Sequence, residues 1–269
     1  SGTDPASGPI VVGSQDYYSN EIVAEIYAQT LESAGFEVKR EYRIGQREIY
    51  VPEIEKGKID VFPEYTGPLL QYWKGETKAR SDKDVYAELT SAAPTGLKIL
   101  DASPARDQDS YAVTQEFAKK WGLAKISDLK KVTDPMTMGS NSEGENRPNG
   151  PKGLEKAYGV KVKFTPIEDS GGPLTFAALR KGDIQLAIIY SANPAIAEND
   201  IVVLEDDAEL FLSSNIVPVI SERLPEKATK ALNEVSAKLT TKDLIDLNQR
   251  SVKKQLPAKT IAKEWIAKH

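Results

Sequence analysis

Two stretches of this chain repeat one plan, and each repeat ends on a tyrosine. The first runs from Val11-Val12-Gly13-Ser14, through an apolar-periodic segment, to Gly57-Lys58-Ile59-Asp60-Val61 and Tyr65. The second runs from Thr137-Met138-Gly139-Ser140, through a similar segment, to Gly182-Asp183-Ile184-Gln185-Leu186 and Tyr190. Lys56-Gly57-x-Ile59 matches Lys181-Gly182-x-Ile184. The spacing from Gly-Ser to tyrosine differs by about one residue between copies, within ordinary loop variation. Two similar lobes that each present an aromatic ring at a strand end imply a cleft between them. A cleft lined by facing rings suits a small ligand with an apolar or cationic body.

The periodicity supports the same reading. Ile10-Val11-Val12 is a short β-rich run, and Gly13-Ser14-Gln15-Asp16 is a turn that opens a helix, with Ser19 or Asn20 as its cap. Ile22, Val23, Ile26, Tyr27 and Leu31 fall at helical spacing, and Gly35 stops the run. Alternation from Phe36 to Ile44 predicts a strand, residues 47–56 a second helix, and Ile59 to Phe62 a buried strand. The second copy repeats the order, with strands at residues 136–138, 160–167 and 184–190 and helices at 151–158 and from Gly172-Pro173 to Arg180. This β-α-β-α-β order implies a largely parallel sheet in each lobe, with ligands beyond the carboxyl ends of its strands. Asp107 to Thr114 predicts one crossing between lobes, and Asn215 to Ile220 the return. Amphipathic helices built on Leu232, Val235, Leu239, Leu244, Leu247, Ile261, Trp265 and Ile266 should then pack back on lobe one. The expected domains are a flexible leader over 1–8, a discontinuous lobe one over 9–110 plus 217–269, and lobe two over 111–216. Closure of such a clamshell desolvates whatever it holds.

Composition narrows the chemistry. The 269 residues are enough for two domains, and a net charge of −5 from 35 basic and 40 acidic residues, with no basic stripe, argues against nucleic acid. There is no cysteine, and the one histidine is His269, which removes thiol nucleophiles, Cys/His zinc sites and a Ser-His-Asp triad. Gly139-Ser140 and Gly171-Gly172-Pro173 lack the lysine of a phosphate loop. Glu64 has an electrostatic use beside a cation site rather than a catalytic one. No cofactor or metal is expected, and the chain is read as a non-enzymatic monomer. Ser1-Gly2-Thr3-Asp4-Pro5-Ala6-Ser7-Gly8 reads as the tether of a processed bacterial lipoprotein or as an expression scar.

Four segments then resemble the glycine betaine, choline and carnitine family of ABC-transporter substrate-binding proteins. They are Gly13-Ser14-Gln15-Asp16, Gly57-x-Ile59-Asp60-x-x-Pro63-Glu64-Tyr65-Thr66-Gly67, Asp109-Ser110-Tyr111-Ala112 and Arg147-Pro148-Asn149-Gly150-x-x-Gly153-Leu154. The resemblance runs in order from about residue 9 to the carboxy terminus. It implies a two-lobe type II periplasmic-binding-protein fold of α/β class with two hinge crossings, and delivery of an osmoprotectant to a membrane permease. The protein would then be extracytoplasmic, either periplasmic or lipid-anchored at the outer face of the cell membrane. In that family a box of tyrosines surrounds a quaternary ammonium head and polar or basic groups hold the tail. Tyr65, Tyr111 and Tyr190 match box positions, Arg147 matches the basic tail-holder, and Gln15 and Thr66 match polar contacts. Asp16 is a further contact or only a helix cap.

One corner departs from the family pattern. Leu212-Ser213-Ser214-Asn215 places Ser214 where members usually carry a tyrosine. Tyr17, Tyr18 and Phe211 are the rings that can replace it, while Trp73, Trp121 and Trp265 read as packing residues. A missing ring leaves two alternatives open: weaker capture of a quaternary amine, or capture of a larger, uncharged or aromatic solute. An enzyme on a similar fold is a third, disfavoured by the absent histidine and cysteine chemistry.

Overall fold

The computed structural model describes residues 8–269, so the leader expected over 1–8 lies outside the described residues except for Gly8. The chain divides into two compact units, one comprising the chain up to Asp107 together with Ser213–His269, the other Gln108–Leu212. It passes from one to the other at Asp107-Gln108 and returns at Leu212-Ser213.

The first unit holds β1 (Ile10–Gly13), α1 (Tyr18–Ser33), β2 (Val38–Glu41), α2 (Arg47–Glu55), β3 (Val61–Tyr65), α3 (Thr66–Trp73), α4 (Asp82–Ala92) and β4 (Leu97–Ile99). The second holds β5 (Asp109–Thr114), α5 (Gln115–Trp121), β6 (Thr137–Ser140), α6 (Pro151–Tyr158), β7 (Lys163–Pro166), α7 (Pro173–Lys181), β8 (Leu186–Tyr190) and β9 (Ile201–Val203). On its return the chain adds β10 (Ile216–Ser221), α8 (Glu226–Lys238), α9 (Thr241–Val252) and α10 (Ala258–Ala267) to the first unit.

The duplication read in the sequence becomes a duplication of sheets. Strand order is β2-β1-β3-β10-β4 in one and β7-β6-β8-β5-β9 in the other. In each, the fourth strand is the one that has just arrived from the other unit, and it runs antiparallel to both neighbours. The other strands lie parallel where they pair directly, as β-α-β connections require. Tyr65 ends β3 opposite Ile216, the first residue of β10, and Tyr190 ends β8 opposite Asp109, the first residue of β5.

Residue chemistry repeats along with topology. Asp60 accepts from the Val11 amide at 2.9 Å, and Gln185 accepts from the Thr137 amide at 2.8 Å, so the residue after each Gly-x-Ile bonds the first strand of its sheet. A side chain at Gly13 would come within 3.0 Å of the Phe62 ring, and one at Gly139 within 2.6 Å of Ile184. The paired glycines thus allow the first strand to lie close against the chain entering the third. Arg223 adds a two-bond grip on Asp60, at 2.6 and 2.9 Å.

The core of the first unit centres on α1, where Ile22, Val23, Ile26, Tyr27 and Leu31 are fully buried. Helices α8, α9 and α10 pack against it through Leu232, Leu244, Leu247, Ile261 and Trp265, as the amphipathic spacing requires. Each buried Leu or Ile is worth about 1.5–3 kcal/mol relative to exposure. The second unit closes around Tyr111, Met138, Leu154, Tyr158, Leu186 and Phe211.

Three local expectations change. The strand foreseen from Phe36 to Ile44 stops at Glu41 because Arg43 and Gly45 take positive φ of 59° and 114°, which break the ladder. Helix α1 begins at Tyr18 and has no side-chain cap, because Asn20 already lies inside the first turn and points elsewhere. Strand β9 was not foreseen; it pairs with β5 through a short segment whose side chains are only partly covered, so its apolar signal is weak.

Candidate ligand-binding site

In the first unit, the candidate residues gather around the carboxyl ends of β1 and β3. Asn20 organises them. Its Oδ1 accepts from the Gln15 amide at 2.7 Å, while Nδ2 donates to the Pro63 carbonyl at 3.0 Å and to the Tyr65 hydroxyl at 3.1 Å. The turn after β1 is therefore tied to the end of β3 by one fully buried amide. The Gln15 side chain donates to the Tyr50 hydroxyl at 2.7 Å, and Tyr50 donates in turn to Glu64 at 2.7 Å. Arg47 closes the chain with two bonds to Glu64, each 2.8 Å.

Glu64, read from the sequence as an acid with an electrostatic use near a cation, commits both oxygens to this network. Its Oε1 also accepts from the Tyr65 amide at 2.9 Å. Arg47 and Glu64 carry opposite charges and are buried together, so the pair adds no net charge to its surroundings. Tyr50 stacks on Phe62 at 3.8 Å between centroids, which fixes the phenol that links Gln15 to Glu64.

Tyr65 is 5% exposed, and burial, then the Asp107 charge, holds its hydroxyl well above the usual phenol range, so it is a neutral ring at physiological pH. Thr66, the first residue of α3, uses its hydroxyl to fasten the returning chain: it donates to the Ser213 carbonyl at 3.3 Å and accepts from the Asn215 amide at 2.9 Å. Asp16 is exposed, with its carboxylate 4.0 Å from Arg43. Of the rings considered as substitutes at the Ser214 corner, Tyr17 and Tyr18 lie edge to face at 5.2 Å. The Tyr17 hydroxyl donates to Asp107 at 3.0 Å. Ser214 is buried, and its hydroxyl donates to the Asp107 carbonyl at 3.0 Å while accepting the Asp107 amide on its own carbonyl at 3.3 Å. Tyr17 and Ser214 are thus joined through Asp107, a residue the sequence did not single out.

In the second unit, Tyr111 is fully buried on β5, and its hydroxyl donates to the Asn149 carbonyl at 2.6 Å. Asn149 donates back to Asp109, two residues before Tyr111, at 2.5 Å. These two bonds clamp the Arg147-Pro148-Asn149-Gly150 turn to the strand. Gly153 is required there, since a side chain on it would meet the Pro148 carbonyl oxygen at 1.6 Å. Arg147 is half-buried on that clamped turn. Phe211 packs edge to face on Tyr111 at 5.0 Å and belongs to the core of this unit. Tyr190 is half-buried at the end of β8.

Asn20, Tyr50, Asp107, Asp109 and Asn149 are the residues that sequence reasoning missed. Asn149 and Asp109 stood inside quoted motifs, and Asn20 was read as a cap; Tyr50 and Asp107 carried no local signal. Among the described residues no cluster of three or more acidic or histidine side chains is arranged to hold a metal, and no helix is long and apolar enough to cross a membrane.

A family model described as the substrate-binding domain of ABC-type glycine betaine transport systems matches residues 8–268. The chain belongs to this family. As a member it is an extracytoplasmic transporter substrate-binding protein, not an enzyme. The chain is similar to the glycine betaine-binding protein YehZ of Escherichia coli (strain K12), with 25% identity across 97% of this chain and 90% of that one. It also resembles the ergothioneine transport permease/ergothioneine binding protein EgtU of Helicobacter pylori (strain G27), 26% identical over 96% of this chain but 47% of that longer protein. Among solved structures, one titled a glycine betaine/carnitine/choline ABC transporter superposes with a TM-score of 0.77 at 22% identity, covering 97% of this chain and 98% of the other. That likeness supports the two-lobe type II periplasmic-binding fold.

Proposed function

We propose that this protein captures a quaternary-ammonium osmoprotectant of the glycine betaine, choline or carnitine type and delivers it to the permease of an ABC importer. The ligand is held in an aromatic cleft to which each unit contributes. Tyr65, Tyr111 and Tyr190 present rings to the ammonium head, and Arg147 and Gln15 orient the tail, with Thr66 close by. The observation that carries the reading is the equivalence of Tyr65 and Tyr190. Each is the last residue of the third strand in a five-stranded sheet of identical order, opposite the first residue of the incoming crossing strand. Ligands of such sheets sit beyond these strand ends, and a neutral phenol presents a π face to a cation.

The clamped Arg147 turn supports the assignment of the tail, because a guanidinium on a fixed turn suits a carboxylate or hydroxyl. Ligand capture favours the closed form, which the permease reads. A lipid anchor at the outer face of the membrane, and a monomeric receptor, complete the proposal.

A second reading, the same receptor role for a larger solute, is favoured by the serine at position 214 and by the relative named for ergothioneine. A thermal-shift screen with glycine betaine, choline, carnitine and proline betaine tests the first. Saturating ligand at about 100 times Kd stabilises the folded state by about 2.7 kcal/mol, enough to raise the melting point measurably. An unmoved melting point with all four, alongside a shift with a larger solute, would establish the second.

A further inference from the structure

Resting on the receptor reading, we propose that Asp82, Arg106 and Ser213 form an ionic latch at the two crossings, and that Asp82 is a positioning residue: it sets ligand affinity through the hinge without touching the ligand.

The chain leaves the first unit at Asp107-Gln108 and re-enters it at Leu212-Ser213, so Arg106 and Ser213 flank the two crossings from inside that unit. Their side chains meet there. Arg106 Nη1 donates to the Ser213 hydroxyl at 2.8 Å, the hydroxyl donates to Asp82 Oδ1, and Arg106 Nη2 donates to Asp82 Oδ2, which closes a ring of three bonds. Asp82 opens α4, where the helix dipole favours a negative charge. Backbone groups hold the same parts. The Ser213 amide donates to the Arg80 carbonyl, the Arg106 amide to the Thr241 hydroxyl and the Ile216 amide to the Ala105 carbonyl, each at 3.0 Å. Both crossings are therefore pinned to each other and to the first residues of α4 and α9. At Gln108 the second unit uses uncharged groups instead: Gln108 and Ser191 exchange two bonds of 2.8 Å, amide to hydroxyl and amide to carbonyl.

Ser213 is 8% exposed, whereas the Asp82 and Arg106 side chains are 52% and 42% exposed. The ring thus joins a buried hydroxyl to an ion pair that is open to salt. Burial pushes the Asp82 carboxyl up, and the Ser213 and Arg106 bonds more than offset it, so Asp82 is charged at neutral pH. The apparent Kd of a receptor that closes is its intrinsic Kd divided by the fraction of molecules in the competent arrangement. Fixed crossings confine the hinge to fewer arrangements and keep that fraction high. Freeing Arg106 and Ser213 adds arrangements that do not bind, and affinity falls.

The experiment is calorimetric titration of wild type, Asp82→Asn, Arg106→Gln and the double variant with glycine betaine, choline, carnitine and proline betaine. It is run at about 0.01 M and about 1 M salt, between which the Debye length falls from about 30 to about 3 Å. Each single variant should bind about two- to fivefold more weakly at low salt, and the double variant no more weakly than the singles. The differences from wild type should close at high salt. No weakening, additive losses, or a gap that survives high salt overturns the proposal. A second measurement needs no ligand. The chain has no cysteine, so Lys58→Cys and Lys161→Cys, one exposed site in each unit, carry a pair of spin labels. The spread of label distances should widen from low to high salt when the latch is intact, and be wide at both in Asp82→Asn. A spread that responds to neither salt nor the substitution overturns the latch. Binding of none of the four amines overturns the functional reading instead, and the label distances then decide the latch.

Discussion

Arg47 and Glu64 meet in a two-bond fork, 2.8 Å at each arm, one residue before the candidate ring Tyr65. Both side chains are buried, and the carboxylate also takes the Tyr50 hydroxyl and the Tyr65 amide. Breaking a buried pair leaves an uncompensated charge, so Arg47→Met should lower stability by about 3–5 kcal/mol. Adding Glu64→Leu removes the stranded charge and should recover part of that loss. Denaturant unfolding of the two variants checks both statements; a single variant as stable as the wild type would mean the pair is not buried in solution.

Asn20 joins Gln15, Pro63 and Tyr65 with one amide. Replacing it by alanine strands a buried amide and a buried carbonyl, at a cost of about 1–3 kcal/mol. Ligand affinity should also fall, because the turn carrying Gln15 is no longer tied to Tyr65. Asn20→Ala that loses stability while keeping full affinity would separate this amide from the binding surface.

The two sides of the Tyr65 residue make separable predictions. Tyr65→Phe keeps the π face and removes the acceptor of the Asn20 bond, so quaternary-amine affinity should change by about threefold at most. Tyr65→Ala removes the ring and should weaken binding by about 2- to 30-fold, the range for one cation–π contact. Titrations of the pair that show equal losses would assign the effect to the hydroxyl instead of the ring.

Acid should loosen the first unit at Glu25. Burial pushes this carboxyl up, but hydrogen bonds from Arg40, Tyr42 and Gln29 more than offset it, and the net shift is downward. The four bonds run from 2.6 to 3.0 Å. A folded-state pKa below the unfolded value contributes stability that is present above the ordinary carboxylate pKa and is lost as pH falls through the depressed one. Denaturation midpoints measured from neutral pH down to about pH 2 should therefore fall more steeply for the wild type than for Glu25→Gln. Parallel curves would show that Glu25 does not carry this part of the acid sensitivity.

The fold was legible because its signals repeat locally. Gly13-Ser14 with Gly139-Ser140, and the Gly-x-Ile runs before Tyr65 and Tyr190, are short patterns whose backbone purpose is the same in both sheets. Tyr111 and Arg147 were legible as motifs, and the structure shows the Asn149 bonds that connect them. The Asp107 cluster was not. Tyr17 and Asp107 are 90 positions apart, and Ser214 and Asp107 are 107 apart, so their meeting depends on the return of the chain through β10. Tyr50 was equally silent, since its partners Gln15 and Glu64 lie 35 and 14 positions away. Ser214 looked like a missing ring from sequence alone; in the fold it is the residue that secures an acid.

The central claim is that this chain binds quaternary amines, and isothermal titration with glycine betaine, choline, carnitine and proline betaine tests it most directly. Saturable, one-to-one heat is expected with at least one of them, reduced by Tyr65→Ala. No saturable heat from a folded protein with any of the four would contradict it.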